Sequence, residues 1–139
     1  MNGFLSYFEK SGINKGKKII ISIPDHSSGI VTSALDKTFA ENPGIGSIFM
    51  SGSKSYLIAS YLEEKGYETV NLIGYDLLDK NVRYLRSGTI RFLIGQRPEE
   101  QTYKAVKKLF DFLTLNKVPE NMEYLPVDII TSENVDYFI

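Results

Sequence analysis

The 139-residue sequence has no cysteine, no tryptophan and one histidine. Without cysteine there is no disulfide, no thiolate metal site and no cysteine nucleophile. His26 has no second histidine or cysteine with which to build a triad or a metal site, and it reads as an exposed loop residue. The carboxylates show no metal-ligand spacing, and no cofactor is expected. Charge of one sign is lacking too: 16 Lys+Arg stand against 17 Asp+Glu, a net charge of −1. Sequence-independent nucleic-acid binding needs a cationic surface to displace counterions, and this chain has no such surplus. Long apolar runs are absent. The longest near the start, Ile19-Ile20-Ile21, falls far short of the roughly 20 residues that span a bilayer. A soluble protein of the reducing cytoplasm, without a membrane partner, is the expectation. No G-x-x-x-x-G-K-[ST] loop occurs, and Gly44-Ile45-Gly46 precedes a strand candidate, whereas a phosphate-cradling loop must follow one.

What is present is enough for one domain with a real core. Hydrophobic residues make up 42% of the chain and charged ones 24%, with nine Tyr and eight Phe. Short β-branched runs alternate with longer segments of helical periodicity, the signature of an α/β fold built on a parallel sheet covered by helices in three layers. Strands are predicted at 18–23 (KIIISI), 46–50, 70–74 and 89–94, each apolar on both faces as a helix-covered strand must be. Tyr124 begins one more, 124–131, where Pro126 points to an edge.

The helices have readable ends. One spans 3–11, with Phe4, Leu5 and Phe8 on one face. In the next, Ser27 or Ser28 caps a stripe through Ile30, Ala34, Leu35 and Phe39, which Asn42-Pro43-Gly44 stops. A third carries Leu57, Ile58, Tyr61 and Leu62 and ends at Gly66, a residue suited to a left-handed cap. A fourth covers 77–85. The fifth, 98–115, starts with Pro98 at the first helical position and Glu99 and Glu100 at the positive end of the dipole. Its apolar residues, among them Tyr103, Val106, Leu109, Phe110, Phe112 and Leu113, cover more than the roughly 100° arc of a surface helix. Either it lies inside a core or it expects a surface that these residues do not supply. Lys104, Lys107 and Lys108 read as its solvated face.

Ligands of open α/β sheets bind beyond the carboxyl ends of the strands. There this chain is consistently polar: Asp25-His26-Ser27-Ser28, Ser51-Gly52-Ser53-Lys54, Tyr75-Asp76 and Gly95-Gln96-Arg97. Short donors and acceptors, a carboxylate and the flat ring of Tyr75 suit a polyhydroxylated small molecule. Asp76 has a second reading, as the cap of the helix that follows it.

Residues 70–113 contain Ile73-Gly74-Tyr75-Asp76, which resembles an I-G-[FY]-D motif, and Gln96-Arg97-Pro98, which resembles a Q-x-P before a helix. Gly3-Phe4 resembles the end of an R-x-x-G-F helix, and Leu125-Pro126-Val127-Asp128 a late L-P-x-x-[LI] strand. In this order the motifs resemble the effector-binding core of LacI/GalR-type transcription regulators and the related type 1 periplasmic sugar-binding proteins. The resemblance implies a single lobe of a type 1 periplasmic-binding-protein-like fold and no enzymatic activity. It divides the chain into the carboxyl-terminal lobe (1–97), a crossover helix that would pack on the other lobe (98–122) and a return strand and tail (123–139). It also implies a sugar effector, a homodimer, and DNA contact only through an amino-terminal headpiece outside this sequence. By position, Asp76 and Gln96 correspond to ligand-facing residues. Ser51 and Ser53 stand where the family carries an Asn-Asp pair, with smaller side chains, and Asp25 lies in a loop where an aromatic often sits. Two alternatives remain: the carboxyl-terminal lobe of a periplasmic sugar-binding transport protein, and a small flavodoxin-like enzyme or receiver, which needs an acidic cluster that Asp25 alone does not make.

Overall fold

A computed structural model describes residues 6, 7, 10, 17–23 and 27–139. The helix expected over 3–11 falls largely outside the described residues, as do Asp25 and His26. The chain divides into two compact units, Met1–Gly44 and Ile45–Ile139.

In the first unit, helix α1 (Ser28–Glu41) follows Ser27 at its N-cap and buries Val31, Leu35 and Phe39, the four-residue spacing of one helical face. It stops where the turn residues predict. Asn42 donates from Nδ2 to the Thr38 carbonyl at 2.9 Å, satisfying an acceptor that the ending helix leaves open. The strand expected at 18–23 is not formed: among the described residues these pair with no other strand, and Ile20 is 61% exposed. β-branched residues favour a strand only where a neighbouring strand receives them, and none among the described residues does so here.

The second unit holds a four-stranded sheet of order β1-β2-β3-β4: β1 (Ser47–Phe49), β2 (Asn71–Tyr75), β3 (Ile90–Gly95) and β4 (Asp128–Ile130). The first three strands are parallel, in register Ser47 to Asn71, Phe49 to Ile73 and Tyr75 to Ile94. The fold is thus α/β with a mostly parallel sheet, as the alternating pattern predicts. β4 is antiparallel to β3, with Asp128 opposite Gly95 and Ile130 opposite Leu93. The expected strand at 124–131 is therefore real but three residues long, and it takes the edge position that Pro126 indicates.

Helices α2 (Ser55–Lys65) and α3 (Asp79–Arg86) pack on each other, α2 against β2 and α3 against β3. Ile58, Ala59, Leu62, Val82 and Leu85 close a core over Leu72, Ile90 and Leu93, each no more than 7% exposed. α2 ends at Gly66, whose φ of 70° is the left-handed cap that glycine adopts without a Cβ clash. Gly74 meets a different demand. A Cβ there would lie 2.0 Å from Ser55 Oγ and 2.6 Å from Ser55 Cβ, so only glycine lets the first turn of α2 sit this close to β2.

Helix α4 (Pro98–Leu115) has the predicted bounds and buries none of its side chains. Phe110 is 60% and Leu113 69% exposed. Lys104 and Lys108 do not form a purely solvated face. Both bind Glu123, Lys104 at 3.1 Å, and so draw the chain after α4 back along the helix. Lys104 also pairs with Glu100 at 3.0 Å, and Lys107 with Asp111 at 3.4 Å. No helix among the described residues is long and apolar enough to cross a membrane.

Candidate functional site

The parallel strands β1, β2 and β3 end on one side of the sheet, so the segments after them form a common rim. Asp76 follows β2 directly. Its backbone is left-handed, φ 65°, while its N–H donates to the Ile94 carbonyl at 3.1 Å and extends the β2/β3 ladder by one bond. A short polar side chain tolerates this conformation better than most, at a cost of about 1 kcal/mol. Helix α3 starts two residues later than expected, with Leu78 as its N-cap, so Asp76 does not occupy the cap position. Its carboxylate instead accepts a hydrogen bond from Gln96 Nε2 at 3.0 Å, Asp76 supplying Oδ1.

Asp76 and Gln96, predicted from two different strand ends, are thus brought into direct contact. Among the described residues this single bond leaves Asp76 Oδ2 and Gln96 Oε1 as acceptors without a donor. The pair therefore presents acceptors side by side and suits a ligand that brings hydroxyl donors.

The other expected site residues are arranged less directly. Ser51 is exposed and Ser53 half-buried on the loop after β1. The Tyr75 ring meets Phe49 edge to face, with centroids 5.8 Å apart and the planes at 69°. Asp25 lies outside the described residues.

Two features were missed by the sequence reading. The first is Asn81, fully buried in the first turn of α3. Its Nδ2 donates to the carbonyls of Ser53 (2.7 Å), Tyr75 (3.0 Å) and Asp76 (3.0 Å), and its Oδ1 accepts the Tyr56 N–H at 2.8 Å. The signal was available: Leu78, Asn81, Val82 and Leu85 have core-face spacing, and a polar residue in that stripe must find partners. The second is a fork. Arg97, left-handed at φ 51°, donates from Nε and a terminal nitrogen to both oxygens of Asp128, at 2.6 and 2.8 Å. That bidentate bond holds the Asp128 carboxyl, 17% exposed, below the usual carboxylate range. Arg97 also reaches Glu100 at 3.3 Å. Glu100 and Glu123 are likewise held low, the first mainly by Lys104 and then Arg97, the second by Lys108 and then Lys104. No group of three or more His, Asp or Glu among the described residues is placed to hold a metal ion.

The family described as periplasmic binding protein domain matches residues 1–117. The chain belongs to this family. Among solved structures, this periplasmic binding protein domain is similar to a protein described as a LacI transcriptional regulator from Bacteroides fragilis, with 34% identity and a TM-score of 0.82 over 99% of this chain and 47% of that one. It is also similar to an ABC transporter solute-binding protein from Agrobacterium vitis bound to α-D-tagatopyranose, with 25% identity and a TM-score of 0.81 over 96% of this chain and 45% of that one. GanP, a glucose-galactose binding protein from Geobacillus stearothermophilus, shares the fold at 22% identity and a TM-score of 0.78, over 93% of this domain and 47% of GanP. The domain therefore spans about half the length of the solved structures it matches. No curated protein matches it in sequence. The fold is that of one lobe of a periplasmic-binding-protein-like architecture, as the motifs imply, and its neighbours include a protein described as a regulator and sugar-binding proteins of transporters.

Proposed function

We propose that this domain is the carboxyl-terminal lobe of a sugar-responsive LacI-type transcription regulator, a sensing and dimerisation module of the cytoplasm and not a catalyst. The observation that carries the sugar reading is the Asp76–Gln96 pair: two acceptors left open at the carboxyl end of the sheet, one of them charged, fit neighbouring hydroxyls. The 34% identity with the Bacteroides fragilis protein favours a regulator. Residues 1–97 form the lobe proper, 98–122 cross to the other lobe, and 123–139 return. On this reading the bare face of α4 is what the other lobe covers. Sugar binding would close the two lobes and shift the states in which dimeric DNA-reading headpieces engage their operator. DNA is a partner only through such a headpiece.

The second reading, the corresponding lobe of a periplasmic sugar-binding transport protein, is favoured by the sugar-bound neighbours. The coding sequence upstream of Met1 separates the two, a helix-turn-helix for the first and a secretory signal for the second.

The site itself is tested by titrating the labelled chain with D-galactose, D-arabinose and D-tagatose and following amide shifts. One jaw supplies half of a ligand's contacts, so the expected result is weak, millimolar-range binding with shifts centred on Ser51, Ser53, Asp76 and Gln96. Micromolar affinity would overturn the single-lobe reading, and shifts centred elsewhere would overturn the site.

A further inference from the structure

Ligand-binding rims on α/β sheets are made of loops, and loops move unless something ties them to the scaffold. Here the tie is a single side chain. Asn81 stands on α3, is fully buried, and uses its whole amide: Nδ2 is shared among the carbonyls of Ser53, Tyr75 and Asp76, and Oδ1 takes the N–H of Tyr56. Three separate stretches of chain meet on it: the loop after β1, the loop after β2 and the first turn of α2.

The bond to Tyr56 supplies a helix cap from another element. α2 follows Lys54, which makes no side-chain cap, and Tyr56 is its second residue, one of the four amides that a helix start leaves open. Asn81 Oδ1 fills the role that an N-cap side chain normally fills. The bond to the Asp76 carbonyl acts where the backbone is left-handed, and there it helps hold a conformation that an L-residue otherwise resists.

We propose that Asn81 is the positioning residue of the rim. It touches no ligand, but it fixes the segment carrying Ser51 and Ser53 and the segment carrying Asp76 as one body, so that the acceptors stand ready before a ligand arrives. The ligand part of this inference rests on the sugar reading above, whereas the clamp does not.

The test is amide hydrogen exchange on the 139-residue chain, comparing wild type with N81S, N81D and V82A. Val82 is the buried neighbour on α3 and makes none of these hydrogen bonds, so V82A reports general loosening of the helix. Rates at Tyr56 and Asp76 are read relative to Leu72 and Leu93 at the centre of the sheet. N81S is expected to raise both rim rates about tenfold on this relative scale, the equivalent of one lost hydrogen bond. N81D keeps an acceptor and loses the donors, so Tyr56 stays protected while Asp76 is released. If N81D does not fold, N81S carries the comparison. Rim rates that change by the same factor as in V82A would overturn the proposal. A D-galactose titration in which N81S binds as well as wild type, its rim loosened, would overturn the positioning role. A wild type that ignores D-galactose, D-arabinose and D-tagatose while the exchange pattern holds leaves the clamp standing and removes the sugar reading.

Discussion

Replacing Gly74 by alanine isolates one contact on which the rim depends. The added Cβ would stand 2.0 Å from Ser55 Oγ, 2.6 Å from Ser55 Cβ and 3.2 Å from Leu93 Cδ2. The hydroxyl can rotate away, but Ser55 Cβ is fixed to the first turn of α2. Ordinary carbon contacts begin near 3.5 Å, so that turn must retreat by about 1 Å. Ser55 and Leu93 are both fully buried, and a packed core does not yield this distance freely. Overpacking of this kind costs about 1–3 kcal/mol, a large share of the 5–15 kcal/mol that typically holds a domain together. Working in the other direction, alanine loses less chain entropy than glycine, a gain of about 0.4–1 kcal/mol. The net expectation is a loss of about 1–2 kcal/mol in urea unfolding followed by far-UV circular dichroism. Ser55→Gly in the G74A background removes both clashing atoms and should return most of that loss. Gly29→Ala provides the opposite sign: nothing lies within 4 Å of its added Cβ, which sits in α1, so stability should rise by up to about 1 kcal/mol. The steric argument is refuted if G74A unfolds at the wild-type urea concentration, or if its cost is the same with and without Ser55.

Asp76→Gly removes a carboxylate and relieves a left-handed backbone, so stability should hold or rise by up to about 1 kcal/mol while sugar-induced amide shifts disappear; loss of both together would mean that Asp76 is chiefly structural. Acidification should loosen the attachment of α4. Asp128, Glu100 and Glu123 are held below their ordinary values by Arg97, Lys104 and Lys108, so their contribution is complete above the unfolded carboxylate range and is lost as pH falls through the lowered values. Amide signals of residues 97–128 should stay constant from pH 7 to 5 and change below about pH 4; change already at pH 6 would contradict this. The exposed α4 face should drive self-association of the isolated chain. Phe110→Asp with Leu113→Asp, each removing roughly 1.5–3 kcal/mol of possible burial, should yield a monomer by light scattering, and a wild type that is monomeric at high concentration would sink the idea.

Hydrophobic periodicity and end signals made most of the second unit legible. α4 starts at Pro98 and α2 stops at Gly66 because these residues act locally, through a fixed φ and a missing Cβ. Residues 18–23 misled because β-branched runs state a preference, whereas a strand is a pairing. The direction of β4 could not be read for a related reason, since strand polarity comes from the path of the connection and not from composition. The place of Asp76 and Gln96 at the rim was legible from their positions after their strands, but their contact was not, since it joins residues 20 apart. Asn81 was not singled out in the sequence, because its role depends on two loops and the first turn of α2 that converge on it only in the fold.

The 18-residue α4 contributes no side chain to any core, and this has a spectroscopic consequence. Its helicity rests on a proline start, acidic first-turn residues and a few ion pairs, each worth only tenths of a kcal/mol. Most helix stability in proteins comes from packing an apolar face, and α4 lacks that support, so it frays. It also supplies roughly a third of the residues in helices α1 to α4 among the described residues. Ellipticity at 222 nm should therefore deepen when a companion surface is added in solution, and the size of that change would measure how much of the binding energy goes into ordering the rod.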